Sequence, residues 1–416
     1  MKILVVLASV LVVAVARSGL PTNLHGAQVL SVVPEEASQV HYLKNLQLRD
    51  LFDFWTEPRA VGTPVDIMAP AFQLPALKNM LAHVGLKFTT KISNVGFLVD
   101  QQKAARATGP LSMDWTSYHD YDEINAWLDS LATEYPDLAS VEDVGLSYEG
   151  RTMKLLKLGK GGADKPIIFI DGGIHAREWI APSTVTYIVN ELITNSDTYD
   201  DILSNVNFYV MPVINPDGYA YTFTDDRLWR KTRSETSSTL GCRGADPNRN
   251  WSFHWDEVGA SDSPCSDIYA GPEPFSEVEM RNVRDQILEY ADNIKVYLTF
   301  HSYSQLWMYP WGFTSDLPDD WQDLDTLATN AVDALTAVHG TRYEIGSSTN
   351  TIYAAAGGSD DWAKGEAGVA YSYTIELRDT GNYGFVLPAD QIIPTGEETF
   401  EGVKVVANFV KDTYGK

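Results

Sequence analysis

The larger, C-terminal part of this sequence predicts an α/β fold: a mixed, mostly parallel sheet with helices on both faces. A small α+β unit is predicted ahead of it. Three observations lead there. Long β-rich apolar runs alternate with helical patterns after residue 106. Those runs are continuously apolar rather than alternating, as in strands buried on both faces. And the chain, at 416 residues, is too long for one average domain.

Met1-Lys2 leads into an apolar run, Ile3 to Ala16, that ends in the small-x-small pattern Ala14-Val15-Ala16. A basic start, a short apolar stretch and a small-residue exit read as a secretory signal peptide over residues 1–16. The run is short for a membrane span. It implies a secreted, extracellular product, where cysteines oxidise.

Residues 17–106 form the α+β unit. Helical stretches fall near Tyr42–Trp55 and Leu74–Val84, and strands near Val65–Ala69 and Leu86–Ile92, with Gly96–Val99 a further candidate strand. The stretch Gln101–Gly109 is polar, small and basic. It reads as an exposed connector of the kind proteases nick. Arg106 and Lys103 suit a trypsin-like protease, so Arg106 is the expected activation cleavage position.

Residues 107–416 hold the α/β domain. Pro166–Ile170, Asn207–Ile214, Val296–Phe300 and Ala370–Ile375 read as buried strands. Helices fit near Tyr121–Tyr135, Ser183–Thr194, Pro274–Tyr290, Leu324–His339 and Glu397–Thr413. Ligands of such sheets bind beyond the carboxyl ends of the strands, so the residues that follow each strand matter most.

After Ile170 comes Asp171-Gly172-Gly173-Ile174-His175-Ala176-Arg177-Glu178. His175 and Glu178 are three apart, so one turn can aim both at one ion. After Phe300 comes His301-Ser302-Tyr303. Two histidines and a glutamate are a catalytic zinc set, which leaves a fourth position open. Glu376 ends an otherwise apolar strand, where a carboxylate needs a partner or a task. General-base action on water at the metal is the functional reading, and an ion pair with a nearby arginine the structural one.

Charge excludes some classes. Against 56 Asp and Glu there are 31 Lys and Arg, a net charge of −25, which disfavours nucleic acid and anionic membranes as partners. Within this acidic chain Trp229-Arg230-Lys231-Thr232-Arg233 is a basic island. Asp246-Pro247-Asn248-Arg249-Asn250-Trp251 offers a guanidinium fork and an amide suited to a carboxylate.

Taken in order, His-x-x-Glu, Trp-Arg-Lys-Thr-Arg, Asp-Pro-Asn-Arg-Asn-Trp, His-Ser-Tyr and Glu-Leu-Arg-Asp-Thr-Gly resemble the zinc metallocarboxypeptidases of the digestive A/B type. The resemblance covers nearly the whole chain. It implies one Zn²⁺ per chain on His175, Glu178 and His301, with Asp246 orienting His175. It implies that Arg249 and Asn248 hold the substrate's terminal carboxylate under Tyr353. Arg230 would stabilise the oxyanion, Arg177 would assist docking, Tyr303 would line the adjoining subsite, and Glu376 would move the proton. The first unit would be an inhibitory activation propeptide. Cys242 and Cys265 would form the family's common bridge.

The same resemblance places Asp360 at the base of the specificity pocket, which implies B-type preference for C-terminal Lys or Arg. Gly312 and Ser348 stand at other pocket positions, where B-type members carry Ser and Gly. The alternative is A-type preference for aromatic or aliphatic ends. A catalytically inactive carboxylate-binding relative is the other alternative, disfavoured because no residue of the set is missing. The expected partners are peptide C-termini, an activating protease and proteinaceous inhibitors, with the chain a monomer. Asn250-Trp251-Ser252 is a glycosylation sequon, but its place inside the carboxylate-binding motif argues against a glycan.

Overall fold

The computed structural model describes residues 24–108, 113–160 and 162–415. The leader expected over residues 1–16 lies outside them. The first unit runs β1 (Gln28–Val32), α1 (Ala37–Gln47), β2 (Asp53–Phe54), β3 (Val65–Ala69), α2 (Leu74–His83), β4 (Phe88–Ile92) and α3 (Val95–Thr108). Its four strands pair antiparallel in the order β2-β3-β1-β4.

Alternation along β1 explains how this small sheet is used. Leu30 and Val32 face the helices and join Leu43, Leu46, Leu77 and Leu81 in one core. Val29 points to the opposite face, as successive strand residues must. There it packs with Met68, Ile92 and Trp55 against Tyr303, Phe385 and Val386 of the larger unit. The sheet therefore has no solvent face: one side is its own core and the other is the dock.

The larger unit runs α4 (Tyr121–Glu134), β5 (Ala139–Leu146), β6 (Thr152–Leu158), β7 (Ile167–Gly172), α5 (Ile180–Thr194), α6 (Asp200–Leu203), β8 (Asn207–Met211), α7 (Pro216–Thr224), α8 (Val278–Glu289), β9 (Ile294–Ser302), β10 (Leu306–Tyr309), α9 (Trp321–His339), β11 (Glu344–Ser347), α10 (Ser348–Thr351), α11 (Ser359–Gly365), β12 (Tyr371–Leu377) and α12 (Ile392–Tyr414). The sheet order is β11-β10-β12-β9-β7-β8-β6-β5. Its central strands β12, β9, β7 and β8 run parallel, and antiparallel pairings flank them. On β7, Ile168 and Ile170 enter the core under α5, α9 and α12. Ile167 and Phe169 enter a second core with Met280 and Val283 of α8 and Trp362 of α11. The continuous apolar runs are thus explained by helices on both faces.

Three expectations for the first unit need correction. The helix expected across Tyr42–Trp55 is α1, which ends at Gln47, and β2 follows it. Gly96–Val99 is not a strand but the first turn of α3. The stretch expected as an exposed connector, Gln101–Gly109, is helical as far as Thr108, with Gln101, Lys103, Ala104 and Ala107 exposed. The physical reason lies in its composition: Gln, Lys, Ala and Arg are all good helix formers, and Gln102 is buried beneath the helix.

Candidate metal centre and cleft

The parallel strands deliver the site. His175 and Glu178 lie in the turn after β7, and Gly173 permits that turn. Its φ is +63°, and a Cβ there would stand 3.0 Å from Pro182 Cγ and 3.3 Å from Val213 Cα. His301 is the penultimate residue of β9, and Glu376 of β12 is its direct cross-strand neighbour. Four side chains from three chain segments therefore meet at one sheet edge.

His175 Nδ1 lies 2.8 Å from Glu178 Oε1 and 3.2 Å from His301 Nδ1, and His301 Nδ1 lies 3.3 Å from Glu178 Oε2. All three residues are buried, and among the described residues they form the one group with metal-ligating spacing. Two imidazole nitrogens 3.2 Å apart, each within 3.3 Å of a Glu178 oxygen, can share one cation. Ligand bonds of about 2.0–2.1 Å in a tetrahedron set donor atoms roughly 3.3 Å apart. The donor set therefore fits Zn²⁺. Behind it, His175 Nε2 meets Asp246 Oδ1 at 3.2 Å. Asp246 also accepts from Arg230 Nη2 at 2.9 Å and from the Asn248 amide at 2.9 Å. Burial alone would raise the Asp246 pKa, but Arg230 and His175 hold it well below the carboxylate range.

Glu376 stands in a different balance of burial and charge. Burial pushes its pKa up to about 8; the Glu178 charge adds to this, while His301 and Arg230 oppose it. Arg378, the nearest arginine in sequence, is paired instead with Glu398 and Gln391. Arg378 is therefore not an ion-pair partner of Glu376, and the arginine whose charge reaches Glu376 is Arg230.

His175, Glu178, Arg230, Arg177, Tyr303, Tyr353 and Glu376 line one cavity of about 240 Å³. Asn248, Arg249 and Asp360 are not among its lining residues. They sit together beyond it: a Cβ on Gly358 would lie 3.0 Å from Asp360 Oδ1 and 3.7 Å from Asn248 Oδ1. Arg249 is braced by Gly259 O and Asn248 O, with its guanidinium 5.9 Å from the centre of the Tyr353 ring.

The adjacent acids Asp360 and Asp361 divide their tasks. Asp361 accepts from the amides of Gly312 and Phe313. Burial and the Asp360 charge raise its pKa well above the usual range. Asp360 takes one side-chain donor, Ser348 Oγ, at 3.3 Å. The exchange of small residues also has a packing reason. A Cβ at position 312 would lie 2.9 Å from Ala355 O, so glycine is required there. The hydroxyl comes from Ser348 on the other side.

The first unit supplies residues that sequence reasoning missed. Asp53 Oδ1 pairs with Arg177 Nη1 at 3.0 Å, both groups buried. Trp55 packs edge-on to Phe385 and Tyr303, at 5.1 and 6.4 Å between ring centres. Asp66 accepts from the Tyr303 hydroxyl at 3.2 Å and from Lys91 at 2.8 Å. Nothing in local sequence marks these residues, because they act only across a long-range dock.

Arg106 lies near the end of α3, half-buried. The disulfide joins Cys242 and Cys265, whose Cα atoms are 5.1 Å apart. Asn250 is fully buried, and its amide donates to Ala270 O, Glu273 O and Ser276 Oγ, which leaves no room for a glycan. No helix among the described residues is long and apolar enough to cross a membrane.

Comparison with known proteins gives two family matches. The family described as zinc carboxypeptidase matches residues 124–402, and that described as carboxypeptidase activation peptide matches residues 30–102. Carboxypeptidase B of Astacus astacus is 94% identical over 302 residues, 73% of this chain and 100% of that one. Carboxypeptidase A2 of Rattus norvegicus is 41% identical over 398 residues, 93% of this chain and 94% of its own length. Among solved structures, carboxypeptidase A from Helicoverpa armigera superposes with a TM-score of 0.87 at 30% identity, covering 94% of this chain and 99% of that one.

Proposed function

The chain belongs to the zinc carboxypeptidase family and carries that family's activation peptide; on that premise we propose a secreted zymogen whose cut form removes C-terminal Lys and Arg. The observation that carries the specificity is Asp360, a carboxylate only 6% exposed. A substrate cation would compensate its burial, whereas an apolar end would leave it unpaired. Similarity to an A-type enzyme across 93% of the chain makes this position, and not overall likeness, the discriminating one. The near-identity to a carboxypeptidase B supports the same side.

When bound, Zn²⁺ acidifies a water molecule and polarises the scissile carbonyl. The rest is work for the chain's own residues. His175, Glu178 and His301 hold the ion, and Asp246 fixes the ring of His175. Arg249 and Asn248 bind the terminal carboxylate, which selects the last peptide bond. Tyr353 covers that end. Arg230 places positive charge where the oxyanion develops, a contribution of about 3–4 kcal/mol in comparable sites. Glu376 accepts a proton from the attacking water at its carboxylate and passes it to the leaving amine nitrogen. Arg177 and Tyr303 seat the residues upstream of the scissile bond.

In the uncut chain those upstream seats are taken. Asp53 neutralises Arg177, and Trp55 covers Tyr303 and Phe385. This supports residues 17–106 as an inhibitory propeptide, with residues 1–16 as leader and Arg106 as the cleavage position. A trypsin-like protease is the proposed activator, and protein inhibitors that fill the same seats are proposed partners. The test is the C-terminal specificity profile of the chain before and after trypsin, on peptides ending in Arg, Lys, Phe or Leu. Preference for Phe or Leu would overturn the B-type reading. Equal activity on large peptides before and after cutting would overturn the inhibitory role.

A further inference from the structure

Asn215 follows β8 and is fully buried. Its side-chain oxygen caps α7, accepting from the Gly218 amide at 3.1 Å. Its side-chain nitrogen donates twice, to Ile174 O at 3.0 Å and to Lys231 O at 3.1 Å. A carboxamide nitrogen carries two hydrogens, so both are used. Asp and Ser cap a helix as well as Asn does, but neither can cap and also serve those two carbonyls. Capping alone therefore does not account for asparagine at this position.

The two carbonyls sit beside the chemistry. Ile174 precedes the ligand His175, and Lys231 follows Arg230. The same two segments meet once more, where the Ala176 amide donates to Arg230 O at 3.0 Å. Lys231 O also accepts from Trp229 Nε1 at 2.7 Å. Beyond these backbone links the Arg230 guanidinium reaches Asp246 at 2.9 Å and lies 4.0 Å from Glu178 Oε1. Asn215 is itself anchored to the sheet and to α7. The Ile214 amide donates to Gly172 O at 3.0 Å, and the Tyr219 amide to Asn215 O at 3.0 Å. One loop carries His175 and Glu178, another carries Arg230, and Asn215 belongs to neither while holding both.

We propose that Asn215 is the positioning residue that sets the spacing between the metal ligands and Arg230, its one side-chain amide holding the backbone carbonyls next to His175 and Arg230. The inference rests on the carboxypeptidase reading, because that reading gives Arg230 the developing oxyanion. It places Asn215 in contact with neither substrate nor metal. A misplaced Arg230 weakens a contact that forms only as the oxyanion develops. Such a loss lowers kcat and leaves KM alone.

The test uses the full chain, activated and loaded with zinc, carrying Asn215→Ser, Arg230→Gln or both. Ser keeps the helix cap and removes the two donations. Each protein is assayed on a blocked peptide with C-terminal Arg, and thermal midpoint and zinc content are measured alongside. Asn215→Ser should lower kcat about 10–100-fold, with KM within about twofold and one zinc retained. If Asn215 acts through Arg230, the two losses do not multiply. In the Arg230→Gln background, Asn215→Ser should then cost less than about twofold more. If the Ser variant does not fold, Asn215→Asp, which also caps but cannot donate when ionised, carries the same comparison. A rise in KM at unchanged kcat, loss of zinc, losses that multiply in the double variant, or a lowered midpoint with unaltered kinetics would each overturn the proposal. Failure of the unsubstituted, activated chain to cleave the peptide would instead overturn the carboxypeptidase reading, and the inference with it.

Discussion

Neutralising Asp120 and Glu123 should make the chain easier to activate. In the uncut protein the Arg106 guanidinium is held by both carboxylates, with Nη2 2.5 Å from Asp120 Oδ2 and Nη1 2.8 Å from Glu123 Oε2. Nη1 also donates to Tyr118 O at 3.2 Å, and the group lies 5.0 Å from the centre of the Phe223 ring. A protease must take Arg106 in an extended conformation, so the last turn of α3 has to open first. When opening is fast relative to cutting, the rate follows the open population. The Arg106 side chain is 32% exposed and its partners 32% and 37%, so solvent screens both pairs. At the upper end of the range for exposed pairs, each is worth about 0.5–1 kcal/mol. Losing both, about 1–2 kcal/mol, raises the open population roughly 5–30-fold.

The double variant Asp120→Asn, Glu123→Gln isolates the charges. These two residues form the capping box of α4; Asn caps as well as Asp, and Gln serves the box as well as Glu. The assay is a trypsin time course followed by intact mass and amino-terminal sequencing of the products. Cleavage after Arg106 at the parental rate would refute the argument about the ion pairs. Cleavage elsewhere would show that Arg106 is not the activation position.

Other outcomes follow from the same structure. Glu376→Gln should lower kcat by about 10²–10⁴-fold while metal analysis still finds one zinc, because Glu376 moves the proton and is not a ligand; loss of the metal would contradict that division of roles. Asp360→Ile should cost about 10²-fold or more in kcat/KM on peptides ending in Arg and gain activity on those ending in Leu; an unchanged profile would mean that Asp360 does not read the substrate. Glu279 is fully buried, and burial raises its carboxyl pKa to about 7. Its folded form binds the proton more tightly than the unfolded chain, so stability falls as pH rises from about 4.5 to 7. Glu279→Gln should remove that share of the slope, leaving what other buried acids such as Asp171 contribute, and stabilise the protein at pH 8 by roughly 1–3 kcal/mol. Urea unfolding at pH 5 and pH 8 measures both, and a parallel fall in the two proteins would count against it.

The parallel core of the larger unit was legible because its strands are buried on both faces. Ile167–Ile170 is apolar at every position and Val296–Phe300 at all but Thr299, and no other element type fits so short a run between helices. The edge strands were not. β5 and β6 read with mixed polarity because one of them borders solvent, and β10 and β11 are only four residues each. The end of the first unit was misread because small polar residues suit both a connector and a helix. What decided between them was burial of Gln102 against the larger unit, which is a long-range contact.

The site divides along the same line. Sequence alone determined its chemistry: the ligand types, the three-residue spacing of His175 and Glu178, and the placing of His301 and Glu376 where strands end. Local spacing and strand periodicity are enough for those. Only the tertiary structure decided that the four converge, that Asp361 serves backbone amides while Asp360 takes a donor from Ser348, and that Asp53 and Trp55 pack onto Arg177, Tyr303 and Phe385. It also decided that Arg106 is clamped and not loose. Each of these depends on which distant residue supplies a hydrogen bond or takes up space, and that is set by packing rather than by order along the chain.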